Sequence, residues 1–256
     1  MLEKFLRWAA NSWLTILLPQ SLRDRLRPLW LFTARFTFKG TNVYCPVCDR
    51  TARDFVLWRQ SRICPMCGSL ERQRAIYLWL TRKSKAFKTK PCRVLHVAPD
   101  FCLVKHIRTQ ADTYVSIDLH DKRATLQADL TKLPLPNHSF DLIICSHVLE
   151  HIPNDRDAMK ELSRVRALTG ELLIMVPIKD GNTYENFEIQ DPKQREQHFG
   201  QWDHVRIYGM DIIQRLEAAG HKTCTTQATA LASSSHEAQK MGLLDGDLLI
   251  ECRSMS

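Results

Sequence analysis

Beyond Arg93 the chain alternates between short, wholly apolar runs and longer stretches with a single apolar face. Val94, Leu95 and Val97 mark a strand over 93–98. Residues 114–118 form a second, 125–128 a short third and 140–146 a fourth. Runs such as Leu142-Ile143-Ile144 lack the polar alternation of a half-exposed strand, so they belong in a sheet covered on both faces. Met159, Leu162 and Val165 fall on one stripe and predict a helix over 157–166, with Thr169-Gly170 as its C-terminal turn. A fifth strand follows over 171–176 and stops at Pro177. A helix over 210–219 closes at Gly220, and 221–226 and 247–252 are the last two strands. The expected fold is α/β: a Rossmann-like, doubly wound, mostly parallel seven-stranded sheet with helices on both faces.

Ahead of this region the pattern differs. Residues 1–40 read as a basic amphipathic segment in which Phe5, Leu6, Trp8, Trp13, Leu14 and Ile16 are interrupted by Glu3, Lys4, Arg7 and Asn11. The apolar part is too short to span a bilayer, but a basic, Trp-bearing helix suits a membrane interface, so residues 1–30 are a candidate peripheral membrane contact. Phe55, Val56, Leu57 and Trp58 suit a hairpin strand. Ser69 reads as an N-cap, with Glu71 and Gln73 in the first turn of a helix that carries Ile76, Leu78 and Leu80. The expected division is 1–40, 41–90 and 91–256.

Charge is unevenly spread. Residues 1–92 hold 18 Lys and Arg against 5 Asp and Glu, whereas 93–256 hold 18 against 23. The net +8 therefore belongs to the front third, which suits an anionic partner such as RNA, a phosphate-bearing substrate or an acidic membrane surface. A solvated basic surface is the plainer alternative.

Four of the nine cysteines stand as two Cys-Pro-x-Cys pairs, Cys45 with Cys48 and Cys64 with Cys67. That spacing can place four thiolates around one tetrahedral ion, and a closed set of this kind is a structural zinc site. A small N-terminal zinc-ribbon-like module is expected. The other five cysteines are scattered through apolar runs and behave as core thiols of a reducing compartment, which points to the cytoplasm, with the membrane periphery open.

Ligands of parallel α/β sheets bind at the carboxyl ends of the strands. The residues there are His96, Ala98, Pro99 and Asp100 after the first strand and Asp118 and Leu119 after the second. Asp129 and Leu130 follow the third, and Ser146 and His147 the fourth. A carboxylate at Asp118, about 20 residues beyond the first loop, is placed to accept both hydroxyls of a ribose. Residues 178–208 break the alternation with a polar stretch rich in His198, Trp202, Asp203, His204, Arg206 and Tyr208. A loop of that length is expected to be a substrate lid, with a plain insertion carrying its own short helix as the alternative.

The runs Val94–Pro99, Ser116-Ile117-Asp118, Ala128-Asp129-Leu130, Leu133–Pro136 with Ser139-Phe140-Asp141, and His147-Val148-Leu149-Glu150-His151 resemble a class I S-adenosylmethionine-dependent methyltransferase of the type 11 group. The front module with Phe199-Gly200-Gln201 and Asp203-His204-Val205-Arg206 resembles a zinc-bearing bacterial subgroup. The resemblance implies S-adenosyl-L-methionine as cofactor, held by His96, Ala98, Pro99, Asp100, Asp118, Leu119, Asp129, Leu130, Ser146 and His147. Asp129 would meet the adenine amino group, and Ser146 and His147 the methionine part. The sequence departs from the family at the first loop, where Ala98 and Pro99 replace closely spaced glycines; Pro99 removes an N–H and fixes φ. Methyl transfer asks mainly for positioning and exclusion of water, with a base where the acceptor carries a proton. His204 and His147 are the candidate bases, and Trp202, His204, Arg206 and Tyr208 the candidate acceptor contacts. The unknown methyl acceptor is expected to be a small molecule, a glycan or a lipid-linked intermediate. RNA held by the basic module, and a non-catalytic scaffold, are the alternatives.

Overall fold

The computed structural model describes residues 32–58 and 61–255. It falls into two compact units, one comprising the chain up to Arg82 with Ala228–Asp245, the other Lys83–Gln227 with Gly246–Ser256. The expected 91–256 domain is thus interrupted, because 228–245 belongs with the cysteine-bearing unit. Most of the 1–40 segment, with its candidate membrane contact, lies outside the described residues; 32–37 is helical. Among the described residues no helix is long and apolar enough to cross a membrane.

The smaller unit is built from two hairpins. β1 (Val43–Cys45) pairs antiparallel with β2 (Arg50–Ala52), and β3 (Val56–Trp58) with β4 (Ser61–Ile63). Each Cys-x-x-Cys pair follows one hairpin strand, β1 or β4, so the two turns present their sulfurs together. Helix α1 (Glu71–Arg82) buries Ile76, Leu78, Trp79 and Leu80. The Ser69 hydroxyl, expected to cap this helix, lies 3.2 Å from Cys45 Sγ and 3.3 Å from Cys67 Sγ. Gln73 instead reaches back to accept from the Leu70 amide at 2.9 Å. Arg74 is fully buried. Its guanidinium donates to the carbonyls of Arg62, Ser69, Met241 and Gly242 and stacks on Phe55, 4.0 Å from the ring centroid. Gly242 follows the helix Ser235–Met241 at φ 61°, where a Cβ would sit 2.7 Å from the Phe55 ring, so only glycine both takes the left-handed turn and leaves this stack intact.

The larger unit holds one seven-stranded sheet in the order β12-β13-β9-β8-β5-β6-β7. These strands are β5 (Arg93–Val97), β6 (Thr113–Asp118), β7 (Leu126–Gln127), β8 (Phe140–Ser146), β9 (Arg166–Met175), β12 (His221–Gln227) and β13 (Leu248–Ser254). Five adjacent strands, β9, β8, β5, β6 and β7, run parallel, and β13 is antiparallel to both β9 and β12. The mostly parallel seven-stranded expectation holds. Helix α2 (Phe101–Gln110) was not foreseen; Leu103 and Ile107, one turn apart, anchor it in the core. Helix α3 (Asp155–Val165) is capped by Asn154, whose side chain accepts from the Asp157 amide. It places Met159, Leu162 and Val165 in a core with Leu95, Ile143, Leu172 and Ile250.

Thr169-Gly170 is not the predicted helix end. The helix stops at Val165 and β9 starts at once, Phe140 pairing with Arg166 and Leu142 with Glu171. The residues between form an irregularity in which Gly170 passes so close to Phe140 that a Cβ would lie 2.9 Å from its carbonyl oxygen.

Candidate active site

Strands β6, β5 and β8 lie side by side, Val97 pairing with Ile117 on one flank and Cys145 on the other. Where β5 ends, Ala98 turns the chain at φ 45°, and where β8 ends, His147 does so at φ 53°. Each amide makes one last ladder bond, Ala98 N–H to Ile117 O and His147 N–H to Met175 O, both 2.8 Å. A left-handed conformation costs a non-glycine residue about 1–2 kcal/mol. Two such turns on neighbouring strands mark the carboxyl edge of the sheet, the place where α/β sheets bind ligands in a crevice.

Asp118 closes β6. Its Oδ1 accepts from the amides of His120 and Asp121 at 2.8 and 2.7 Å, which leaves Oδ2 without a hydrogen-bond partner among the described residues. Leu119 beside it is exposed. Asp129 accepts from both the amide and the hydroxyl of Thr131 at 2.8 Å through Oδ1, a turn-forming role, while Leu130 is buried beneath it. Ser146, at the end of β8, has a buried hydroxyl with no hydrogen-bond partner among the described residues. Pro99 and Asp100 lead into α2.

His96 corrects the expectation. It is wholly inside the sheet, with Nδ1 3.2 Å from the Tyr114 hydroxyl and Nε2 facing the Asp100 amide at 3.4 Å. Burial lowers its pKa to about 4. A neutral ring spent on these two contacts ties the first loop to β6 and is not free for a cofactor.

The long insertion is built as a wall. β10 (Tyr184–Glu185) pairs with β11 (Arg206–Ile207), and the helix α4 (Pro192–Phe199) between them is capped by Asp191 and stopped by Gly200 at φ 81°. Its returning arm, Val205–Tyr208, is buried. Arg206 and Tyr208 were expected to hold the acceptor, and the structure spends them otherwise. The Arg206 guanidinium donates to Glu185 and to the carbonyls of Leu149, Ile152 and Pro153. Tyr208 donates to Asp155 at 2.7 Å. Helix α5 (Ile212–Ala218) adds Arg215, which bridges Asp155 and Glu185, each at 3.1 Å. Trp202 remains exposed.

This framework brings His204 to the sheet edge, because the Val205 amide donates to Glu150 O at 3.0 Å. His204 packs edge-on against His151 with ring centroids 4.6 Å apart, and its burial lowers its pKa and favours the neutral ring. His147 Nδ1 lies 3.4 Å from Glu150 Oε1. The two histidines put forward as bases thus flank one buried carboxylate. In the sequence Glu150 and His151 carry the family resemblance, and His151 reads equally as a structural or a catalytic histidine; that both meet His204 is visible only in the fold.

In the smaller unit the sulfurs of Cys45, Cys48, Cys64 and Cys67 all lie within 4.8 Å of one another. Cys45 to Cys67 is 3.7 Å and Cys48 to Cys64 3.9 Å. A disulfide needs about 2.05 Å, whereas a tetrahedron of Zn–S bonds near 2.3 Å has edges of roughly 3.8 Å. The set fits zinc.

Residues 83–174 match the family model described as a methyltransferase domain. Over that stretch the larger unit is similar to a methyltransferase domain. An uncharacterised protein of Methanocaldococcus jannaschii is 36% identical over 59 residues, 23% of this chain and 26% of that protein, so the match spans about a quarter of the relative. Among solved structures, the cyclase SpnF shares the fold with a TM-score of 0.51 at 13% identity, over 73% of this chain and 83% of its own. A Burkholderia thailandensis 1,6-didemethyltoxoflavin-N1-methyltransferase, solved with S-adenosylhomocysteine, has a TM-score of 0.49 at 15% identity, over 71% and 76%. Since one neighbour is named as a cyclase, the fold alone does not decide the chemistry of the larger unit. The residues at its sheet edge must.

Proposed function

We propose that this protein transfers a methyl group from S-adenosylmethionine to a small molecule, a glycan or a lipid-linked intermediate, and that zinc holds its cysteine module. The observation that carries the donor reading is Asp118, with Oδ1 pinned by two amides and Oδ2 left to accept from a ribose hydroxyl. The orphaned Ser146 hydroxyl, on the far side of β5, suits the polar methionine end. The donor supplies an electrophilic methyl on a sulfonium. The chain's part is to hold it, exclude water and receive a proton from an acidic acceptor. His147, half-buried where β8 ends, is the group placed for that last task. The insertion walls the crevice through His204, with Trp202 as its exposed aromatic face.

Calorimetry of the zinc-loaded protein with S-adenosylmethionine tests the reading. Asp118→Asn keeps one oxygen for the amides of His120 and Asp121 but replaces the other by a donor. Loss of a charge-assisted hydrogen bond is worth about 1.5–3 kcal/mol, so donor affinity should fall roughly ten- to a hundredfold with the melting temperature unchanged. Absence of binding to the intact folded protein points to a non-catalytic scaffold.

A further inference from the structure

At the same sheet edge stands a cluster whose capacity to hold a cation the methyl-transfer reading leaves unused. Glu150, His151 and His204 each offer a ligand atom, all within 4.8 Å of one another. Glu150 is 1% exposed, and among the described residues neither carboxylate oxygen accepts a hydrogen bond; its nearest charge is His147, whose Nδ1 lies 3.4 Å from Oε1, an ion pair only when that ring is protonated. A carboxylate buried with so little compensation is costly, so the arrangement suits a cation.

The histidines are oriented to supply the rest. His204 Nδ1 lies 3.2 Å from Phe199 O, and a carbonyl accepts only from N–H, so Nδ1 carries the proton and Nε2 the lone pair. His151 Nδ1 lies 3.3 Å from Asp203 Oδ2, which likewise leaves Nε2 as the donor atom. Asp203 is itself held by the Gln201 side-chain amide at 2.8 Å. Metal-binding imidazoles are fixed in this way, by a carboxylate or carbonyl on the other ring nitrogen.

We propose that Glu150, His151 and His204 bind a divalent transition-metal cation, such as manganese, iron, cobalt or zinc. Two imidazoles and one carboxylate leave coordination positions open. Because Glu150 and His151 lie in the turn directly after β8, those positions face the edge where the methyl donor is placed, and they take a hydroxyl oxygen of the acceptor. This last role rests on the methyl-transfer reading; the metal site does not.

The test uses the full chain with its thiolate site saturated with zinc, titrated with Mn2+ under electron paramagnetic resonance and with Co2+ by calorimetry. The expected result is one further ion per chain. Glu150→Gln, nearly isosteric, should abolish or strongly weaken it, and Asp203→Asn, which touches no metal, should weaken it about 10–100-fold. Should Glu150→Gln fail to fold, as judged by thermal melting, the half-exposed Asp203 variant carries the test. Binding of neither ion beyond the zinc site, or equal binding by wild type and Asp203→Asn, overturns the proposal. S-adenosylmethionine is titrated into the same samples: metal bound without donor sustains this site and removes the methyl-transfer reading, whereas donor bound without metal does the reverse.

Discussion

At the scale of single residues, the crevice side chains divide by whether their hydrogen bonds are already spent. Asp118 and Ser146 keep an unused polar atom; His96, Arg206 and Tyr208 do not. Sequence could place all five at strand ends or in the insertion, because position follows from the apolar pattern. It could not show which were saturated, since the partners of Arg206 come from residues 149–153 and 185, far from it along the chain. The distinction has a measurable consequence. Replacing Arg206 by Met leaves Glu185 and three carbonyls short of a donor, and breaking a buried charged network of this kind costs roughly 3–5 kcal/mol. Urea unfolding should show that loss, whereas Trp202→Ala, on the exposed face, should leave stability nearly unchanged and act on acceptor KM instead.

At the scale of elements, the strands were read to within a few residues because buried parallel strands are continuous apolar runs. The misplacements have physical causes. Helix α2 leaves little mark on the sequence because its short core face, Leu103 and Ile107, gives a weak period. The turn at Thr169-Gly170 looked like a helix end because glycine serves a close β approach as readily as a C-cap. Each element type makes its own prediction. The two hairpins of the smaller unit bury only a few small or single apolar side chains besides their cysteines, Val47, Ala52, Phe55, Val56 and Met66, so removing zinc with a strong chelator should unfold them. Hydrogen exchange should then show β1–β4 losing protection while β5 and β8 retain it. In the sheet, His96 of β5 and His221 of β12 are both lowered by burial to about 4. The unfolded chain takes up these protons near pH 6.5 and the folded chain only near 4, so stability is complete above about 6.5 and is lost as pH falls through this window. The slope is about 1.4 kcal/mol per pH unit for each ring, and urea melts of His221→Gln should show one ring's share removed.

At the scale of the molecule, the basic front third is the feature that most invites a nucleic-acid reading. The two alternatives respond differently to salt. For RNA held through phosphates the logarithm of affinity falls linearly in log salt, with a slope near 0.7 for each contact to a single strand. The proposed small acceptor gives a KM that is nearly flat between about 50 and 200 mM salt. Filter binding of a total RNA pool should accordingly show weak, salt-labile association, and no methyl label should appear in the RNA. Steady methylation of that pool would transfer the function to RNA. The sequence by itself determined the succession of the seven sheet strands along the chain, the thiolate set and the residues at the sheet edge, because periodicity, Cys-x-x-Cys spacing and strand ends are local properties. Tertiary structure alone decided that residues 228–245 join the smaller unit. It also decided that Arg206 is walled in and that His204 meets Glu150 and His151, because burial and hydrogen-bond saturation depend on chain segments brought together only by folding.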